Sequence, residues 1–206
     1  MTVSSKIESI IINSEKGKLL FVSDFSQYGN YDTVRKALQR LTDRGKILRI
    51  SKGIYYYPKT DELLGILYPT AEEIGIAIAK RDKARIIPTG AYARHLLGLS
   101  TQIPMNIVYL TDGSARKIKI GNQTIIFKKT SPKNLSFESK LSSLIVQALK
   151  SKKEKNVSQT EKSRLAEIIK QSNEKERIKK DIQNAPVWIQ KIVLEILSAI
   201  KKDELA

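Results

Sequence analysis

Residues 30–58 read NYDTVRKALQRLTDRGKILRISKGIYYYP, and their hydrophobic spacing changes period halfway along. Val34, Ala37, Leu38 and Leu41 recur at i, i+3, i+4 and i+7, the single apolar stripe of a core-facing helix. Asn30 stands where an N-cap belongs, and Asp32 falls in the first turn, where a carboxylate complements the helix dipole. Gly45 supplies the stop. Beyond it, Ile47-Leu48-Arg49-Ile50 and Ile54-Tyr55-Tyr56-Tyr57 are short β-type runs around Ser51-Lys52-Gly53, a hairpin turn signal, and Pro58 closes the segment.

Toward the N-terminus, Ser5 and Glu8 have capping-box spacing, and Ile7, Ile10 and Ile11 give a first helix its stripe, ending at Gly17. Phe21 and Val22 lead to Ser23, an N-cap for a short second helix, Asp24–Tyr28, which Gly29 terminates. Three helices and then a basic-tipped hairpin is the order of a winged helix-turn-helix, assigned to residues 1–60. Removing the core stripe leaves Tyr31, Thr33, Arg35, Lys36, Gln39 and Arg40 on the outer face of the third helix. Arg, Lys and Gln hydrogen-bond base edges in the major groove, so Arg35, Lys36, Gln39 and Arg40 are the candidate groove contacts. Tyr31, Thr33 and Lys52 suit phosphate or wing contacts, and Asn30 and Arg49 complete the candidate DNA-binding set. Any surface helix has a polar outer face, and many winged helices mediate protein contacts alone. The short glycine-limited turn and the Lys52-Gly53 wing favour DNA.

Residues 69–137 read as a small α+β domain. Thr70 and Glu73 form a capping box for a helix that buries Ile74, Ala77 and Ile78. Ala84–Ile87 is a strand ended by Pro88, and Thr89 caps a helix to Gly98 with Tyr92, Leu96 and Leu99 inward. Ile107–Leu110, Lys117–Ile120 and Thr124–Lys129 then form a three-stranded meander, turning at Asp112-Gly113 and Gly121-Asn122. Alternation places Lys117 and Lys119 on one outer face of a hairpin that also carries Arg116, Lys128 and Lys129. Those cations extend a nucleic-acid surface or protect an edge strand, and the sequence leaves both open.

Residues 138–206 form C-terminal helices. Leu141, Leu144, Ile145 and Ala148 mark one helix to Lys150, Ser151–Thr160 reads as a linker, and Leu165, Ile168 and Ile169 mark a second whose end, Gln171–Lys180, is almost wholly charged. Pro186 opens a last helix with Trp188, Ile189, Ile192, Val193, Ile196 and Leu197. That stripe packs on the middle domain or forms the seam of a homodimer. The fold class expected is therefore α+β, with an N-terminal winged helix-turn-helix, a central small α+β domain and C-terminal helices.

Composition narrows the function. The 206 residues carry 37 Lys+Arg against 21 Asp+Glu, a net charge of +16, with pI near 9.9, which points to a polyanionic partner. The excess is spread as +4, +7 and +5 over residues 1–68, 69–137 and 138–206, so charge alone locates no site. No cysteine is present, which excludes disulfides, thiolate metal sites and cysteine nucleophiles. A lone His95 on or beside a buried stripe reads as structural and leaves no imidazole cluster for zinc. Gly17-Lys18 is no P-loop, because Ile12 stands where the first glycine belongs. Asp112-Gly113-Ser114 faintly matches the opening of nucleotidyltransferases, yet no Asp or Glu follows between Ser114 and Phe137 to hold magnesium. No enzyme activity, catalytic residue, metal or cofactor is expected. The absence of a secretion signal or a long apolar run gives the expectation of a cytoplasmic protein without membrane association.

Several phrases resemble AbiEi-type antitoxins. They are Tyr31-Asp32-Thr33-Val34-Arg35-Lys36-Ala37-Leu38, Gly45, Ile50-Ser51-Lys52-Gly53-Ile54-Tyr55, Ile87-Pro88-Thr89-Gly90-Ala91-Tyr92, Leu96-Leu97-Gly98-Leu99-Ser100-Thr101 and Tyr109-Leu110-Thr111-Asp112-Gly113. The resemblance covers roughly residues 1–135 and is carried by the combination of phrases. It implies a transcriptional regulator of a type IV toxin–antitoxin system, whose N-terminal domain binds operator DNA and represses its own operon. The DNA-reading role then falls on Asn30 to Arg40, with Lys52 in the wing. The resemblance also implies that the middle domain counters a nucleotidyltransferase-type toxin without binding it directly. The tail beyond residue 138 carries no such phrase, so an orphan winged-helix regulator fits the same architecture. A protein-interaction module is the alternative class, and RNA binding through Tyr55-Tyr56-Tyr57 is a third.

Overall fold

A computed structural model describes residues 2–152 and 156–205. Part of the expected linker, residues 153–155, lies outside the described residues. The chain is mixed α+β and divides into two compact units, Met1–Ala77 and Ile78–Ala206.

The first unit runs α1 (Val3–Ile12), β1 (Leu19–Phe21), a 3-10 helix (Val22–Tyr28), α2 (Tyr31–Asp43), β2 (Leu48–Ser51) and β3 (Ile54–Tyr56). Its antiparallel sheet has the order β1-β3-β2. Two caps differ from expectation. Thr2 caps α1, its hydroxyl accepting the Ser5 N–H at 3.2 Å, so Ser5 lies inside the helix. The helix ends at Ile12, well before Gly17, whose N–H donates to the Tyr57 carbonyl at 2.8 Å. The second helix is a 3-10 helix entered from Phe21, whose N–H donates to the Asp24 carboxylate at 2.9 Å, and Ser23 is not its cap. The reason lies in spacing: Val22 and Phe25 are both buried, and residues three apart share a face in a 3-10 helix. Around them Ile7, Ile11, Val34, Leu38, Leu41 and Tyr55 close one apolar cluster.

A hairpin follows that the sequence did not disclose: β4 (Lys59–Asp61) pairs with β5 (Gly65–Leu67). Its tip is set by Asp61, whose carboxylate accepts the N–H groups of Leu63 and Leu64 at 2.9 and 3.0 Å. Those two bonds also hold the Asp61 carboxyl below its ordinary value.

The boundary between the units falls within α3 (Ala71–Arg81), which begins at the expected capping box of Thr70 and Glu73. The second unit continues with β6 (Ile86–Thr89), α4 (Gly90–Leu96), β7 (Asn106–Thr111), β8 (Arg116–Ile120) and β9 (Gln123–Lys129). The expected meander does not form. The sheet order is β6-β7-β9-β8, with β9 antiparallel to β8 and parallel to β7. That arrangement aligns Ile107 with Ile125 and Tyr109 with Phe127, and all four are buried. Pro88 does not end its strand but sits within β6, opposite Tyr109. An edge strand tolerates it, since the missing N–H points away from the ladder. On α4 the inward leucine is Leu97, whereas Leu96 is exposed.

Among the described residues four α-helices follow: α5 (Lys140–Lys150), α6 (Gln159–Ser172), α7 (Lys175–Asp181) and α8 (Val187–Leu205). Asn173, at φ +53°, breaks the expected second tail helix into α6 and α7. The expected linker is shorter than read, because Ser158 and Glu161 form a capping box that opens α6. Buried Asp181 accepts the N–H groups of Glu138 and Ser139 at 3.0 and 2.8 Å, fastening the start of α5 to the end of α7. Ile189, Val193, Ile196 and Ile200 of α8 join Ala93, Leu97, Ile145 and Leu165 in the core of the unit.

Leu38 is fully buried at the centre of the first cluster. Truncation in Leu38→Ala is expected to lower stability by about 2–5 kcal/mol, read as a lower urea midpoint.

Candidate nucleic-acid interface

The candidate site is built on α2 and the hairpin that follows it. Asn30 caps the helix as expected: its side-chain carbonyl accepts the Thr33 N–H at 2.9 Å. The buried stripe is Val34, Ala37, Leu38 and Leu41, which turns Tyr31, Thr33, Arg35, Lys36 and Arg40 to solvent. Gln39 is half-buried and donates to Asp43 at 2.8 Å, so part of its hydrogen-bonding capacity is used along the helix. Asp32 lies 3.6 Å from Arg35. Both are well exposed, where such a pair is worth well under about 1 kcal/mol, and a competing phosphate can replace the carboxylate. Among the described residues Lys36, Arg40 and Lys52 form no ion pair.

The hairpin is distorted just before its tip. Arg49 faces Tyr55 and Ser51 faces Ile54, leaving a bulge at Ile50 that re-aims the strand end. Gly53 turns with φ +74°, a conformation that other residues rarely adopt, and Lys52 stands exposed beside it.

Tyr55 ties the two elements together. Only 1% of it is exposed, and burial raises its phenol above the ordinary value of 10.0. The charges of Arg49 and Arg35 oppose that rise, and the neighbouring Tyr31 adds to it. Tyr55 packs in the apolar cluster with Val34, Leu38 and Leu41 of α2 and stands opposite Arg49 of β2, while Gln39 and Arg40 lie a turn or more along α2 from Arg35. Sequence reading missed this organising role, since the run Tyr55-Tyr56-Tyr57 carries no mark of which ring is central. Tyr55 and Tyr56 are both buried, and the Tyr56 hydroxyl donates to the Leu67 carbonyl at 2.6 Å, so these rings do not form a stacking platform for RNA bases.

The remaining candidate features take structural roles. A depression of about 180 Å³ in the first unit is lined by Glu8, Ile11, Ile12, Leu41, Lys46 and Tyr57, against the buried side of α2. Asp112 accepts both the backbone N–H and the Nε–H of Arg85, each at 2.8 Å, and this partner holds its carboxyl below the usual range. His95 is half-buried on α4, with no hydrogen-bond partner for Nδ1 among the described residues. Among the described residues no three His, Asp or Glu side chains cluster as a metal site, and no helix is long and apolar enough to cross a membrane.

Fold and surface together define an α+β protein whose first unit presents one polar, mainly cationic helix face beside a hairpin. Residues 6–178 match the family of unknown function DUF6088, and the chain belongs to that family. No curated protein matches the chain. Among solved structures the chain is similar to the crystal structure of the RV2827C protein from Mycobacterium tuberculosis. The two share 13% identity at a TM-score of 0.50, over 95% of this chain and 76% of that one, a likeness of fold alone.

A phenol raised in the folded state stabilises the fold below the unfolded value and loses that contribution as pH rises through the folded one. The first unit is therefore expected to lose stability above about pH 10, and Tyr55→Phe is expected to remove that component. Ultraviolet titration of tyrosinate alongside thermal melts over this pH range checks both.

Proposed function

We infer that the chain is a transcriptional regulator that binds duplex operator DNA through its first unit and represses its own operon. In this reading α1, the 3-10 helix and α2 form the helix-turn-helix, and β2 and β3 form the wing. The sheet order β1-β3-β2 and the placement of a helix before β2 suit a winged helix. The observation that carries the reading is the outer face of α2: Arg35, Lys36 and Arg40 are exposed on a helix whose opposite side is locked in the core. Arg35 and Arg40 take base edges, Lys36 and Gln39 support them, and Tyr31, Thr33, Arg49 and Lys52 hold phosphates. Asn30 acts through the helix, fixing its first turn.

The resemblance of residues 1–135 to AbiEi-type antitoxins supplies the biological frame: an antitoxin-type repressor, cytoplasmic, with no catalytic step of its own. A nucleotidyltransferase-type toxin is then its functional counterpart, countered by the second unit without direct contact. Binding as a homodimer suits two-fold operators. An orphan regulator without a toxin has the same DNA chemistry.

One observation favours the second class, a protein-interaction module. The β4–β5 hairpin exposes Leu63 at 94% together with Leu64, an apolar tip beyond what a solvated turn needs. Capture of a protein partner by nuclease-treated chain, lost in Leu63→Ser/Leu64→Ser, supports that class if no operator preference is found.

For the DNA reading, gel shifts on the region upstream of the gene are expected to show preferential binding. Contact with about six phosphates gives a slope of log affinity against log salt near −5. Arg35→Ala/Arg40→Ala is expected to reduce operator binding, each lost base contact costing about 1–3 kcal/mol. Undiminished binding by that variant overturns the site assignment.

A further inference from the structure

The strand order of the second unit gives the lysines of residues 114–137 a defined place. This stretch carries six cations, Arg116, Lys117, Lys119, Lys128, Lys129 and Lys133, and no acid. The β8–β9 register sets Lys117 opposite Ile126 and Lys119 opposite Thr124. Lys128 follows Ile126 by two residues on β9, so strand alternation puts all three lysines on one face. All three are exposed, and among the described residues none forms an ion pair.

Arg116 has the opposite orientation and a structural role. It pairs with Asp82 and lies 5.2 Å from the centre of the Phe127 ring, on the buried face. The other acid of this part of the sheet, Asp112, is held by Arg85. Neither carboxylate is left to neutralise the lysines. Cations also crowd together beyond β9, where burial and then the neighbouring Lys133 hold the Lys150 ammonium below its ordinary value.

Protection of an exposed edge accounts for Lys117 and Lys119, because β8 is the outer strand. It does not account for Lys128, which lies on the inner strand β9 and pairs with Leu110 of β7. The same face offers Val108, Leu110 and Ile126, half-buried, and no aromatic side chain from any of the four strands, while at its β6 edge Thr89 bonds Gln147 of α5. Such a floor has nothing on which unpaired bases can stack. Lys117 and Lys119 are about 7 Å apart along the strand, roughly the rise of two phosphates on one strand of a duplex.

We propose that this sheet face is a second, sequence-independent contact for the sugar–phosphate backbone of duplex DNA, with Lys117, Lys119 and Lys128 each neutralising one phosphate. Its place in repression rests on the operator-binding reading above, but its chemistry is separable from it. Lysine suits the task, being a mobile point charge that follows a phosphate without fixing a register.

The test uses the full chain and a random-sequence duplex, followed by fluorescence anisotropy across a salt series. Lys117→Gln/Lys119→Gln/Lys128→Gln is expected to make the slope shallower by about 2–3. Lys117→Arg/Lys119→Arg/Lys128→Arg is expected to keep the original slope. Lys179, Lys191 and Lys201 are exposed lysines on α7 and α8, and their triple glutamine variant, losing the same charge, is expected to change the slope by less than about one. An unchanged slope in the sheet variant, or an equal change in the helix variant, overturns the proposal. Equal or tighter binding of a single strand of the same length overturns the duplex assignment. If the sheet variant loses slope while the unaltered chain shows no operator preference, this face stands and the operator reading falls. Operator preference with an inert sheet variant gives the reverse.

Discussion

Burial of Val34, Ala37, Leu38 and Leu41 in the cluster shared with Ile7, Ile11 and Tyr55 is the constraint on which the surface of the first unit depends. A thirteen-residue helix is marginal in water on its own, so α2 exists and keeps its rotation because one stripe is committed to this core. The same packing fixes what faces outward. Arg35, Lys36 and Arg40, between the stripe positions, are turned to solvent by that geometry, whatever their chemistry, and here the chemistry is cationic. Tyr55 then binds the hairpin into the arrangement, because its buried ring belongs to the same apolar cluster as the stripe of α2. A side chain that reads a groove needs such a platform, since a displacement of its helix moves every donor on it together.

Ion pairing follows from the count of charges. With cations in excess by 16, the acids are consumed where the fold needs them and the remainder of the cations stay unmatched. Glu161 illustrates the structural use: Arg94 and Lys152 both reach it, and despite its burial they and the Ser158 N–H hold the carboxyl below its usual value. Asp82 and Asp112 are used the same way on the sheet by Arg116 and Arg85. Among the unmatched cations are Lys117, Lys119 and Lys128 of the β8–β9 hairpin, where no acid stands in sequence.

Much of the first unit was legible, because its determinants are local. The stripe of α2, the Asn30 cap, the Gly53 turn and the exposed set Tyr31, Thr33, Arg35, Lys36 and Arg40 follow from spacing and residue type alone. What was not legible depended on partners distant in sequence. Insertion of β9 between β7 and β8 leaves no trace in alternation, which is the same for either neighbour. Pro88 reads as a terminator until its strand is known to be an edge. Ser142, Ser143 and Gln147 lie outside the apolar stripe read for α5, yet all three are buried, and Gln147 accepts the Thr89 hydroxyl that was expected to cap α4. At the site itself, the partial engagement of Gln39 by Asp43 and the burial of Tyr55 against the stripe of α2 are likewise matters of geometry and not of composition.

In the proposed DNA-binding reading, the distribution of arginine and lysine separates two physical tasks. Direct readout requires a donor pair held at a fixed angle, and the planar guanidinium forks of Arg35 and Arg40 sit on a helix that the core immobilises. Neutralising a phosphate backbone requires charge at roughly the right spacing and tolerance of any register, which the ammonium groups of Lys117, Lys119 and Lys128 provide from a sheet face. The first segment of the chain carries the smallest net charge, +4, and the middle segment the largest, +7. That gradient is unexpected if the helix face had to supply both affinity and discrimination. It is the expected division if the two are carried by different surfaces, with discrimination left to a few arginines on a helix that the core holds.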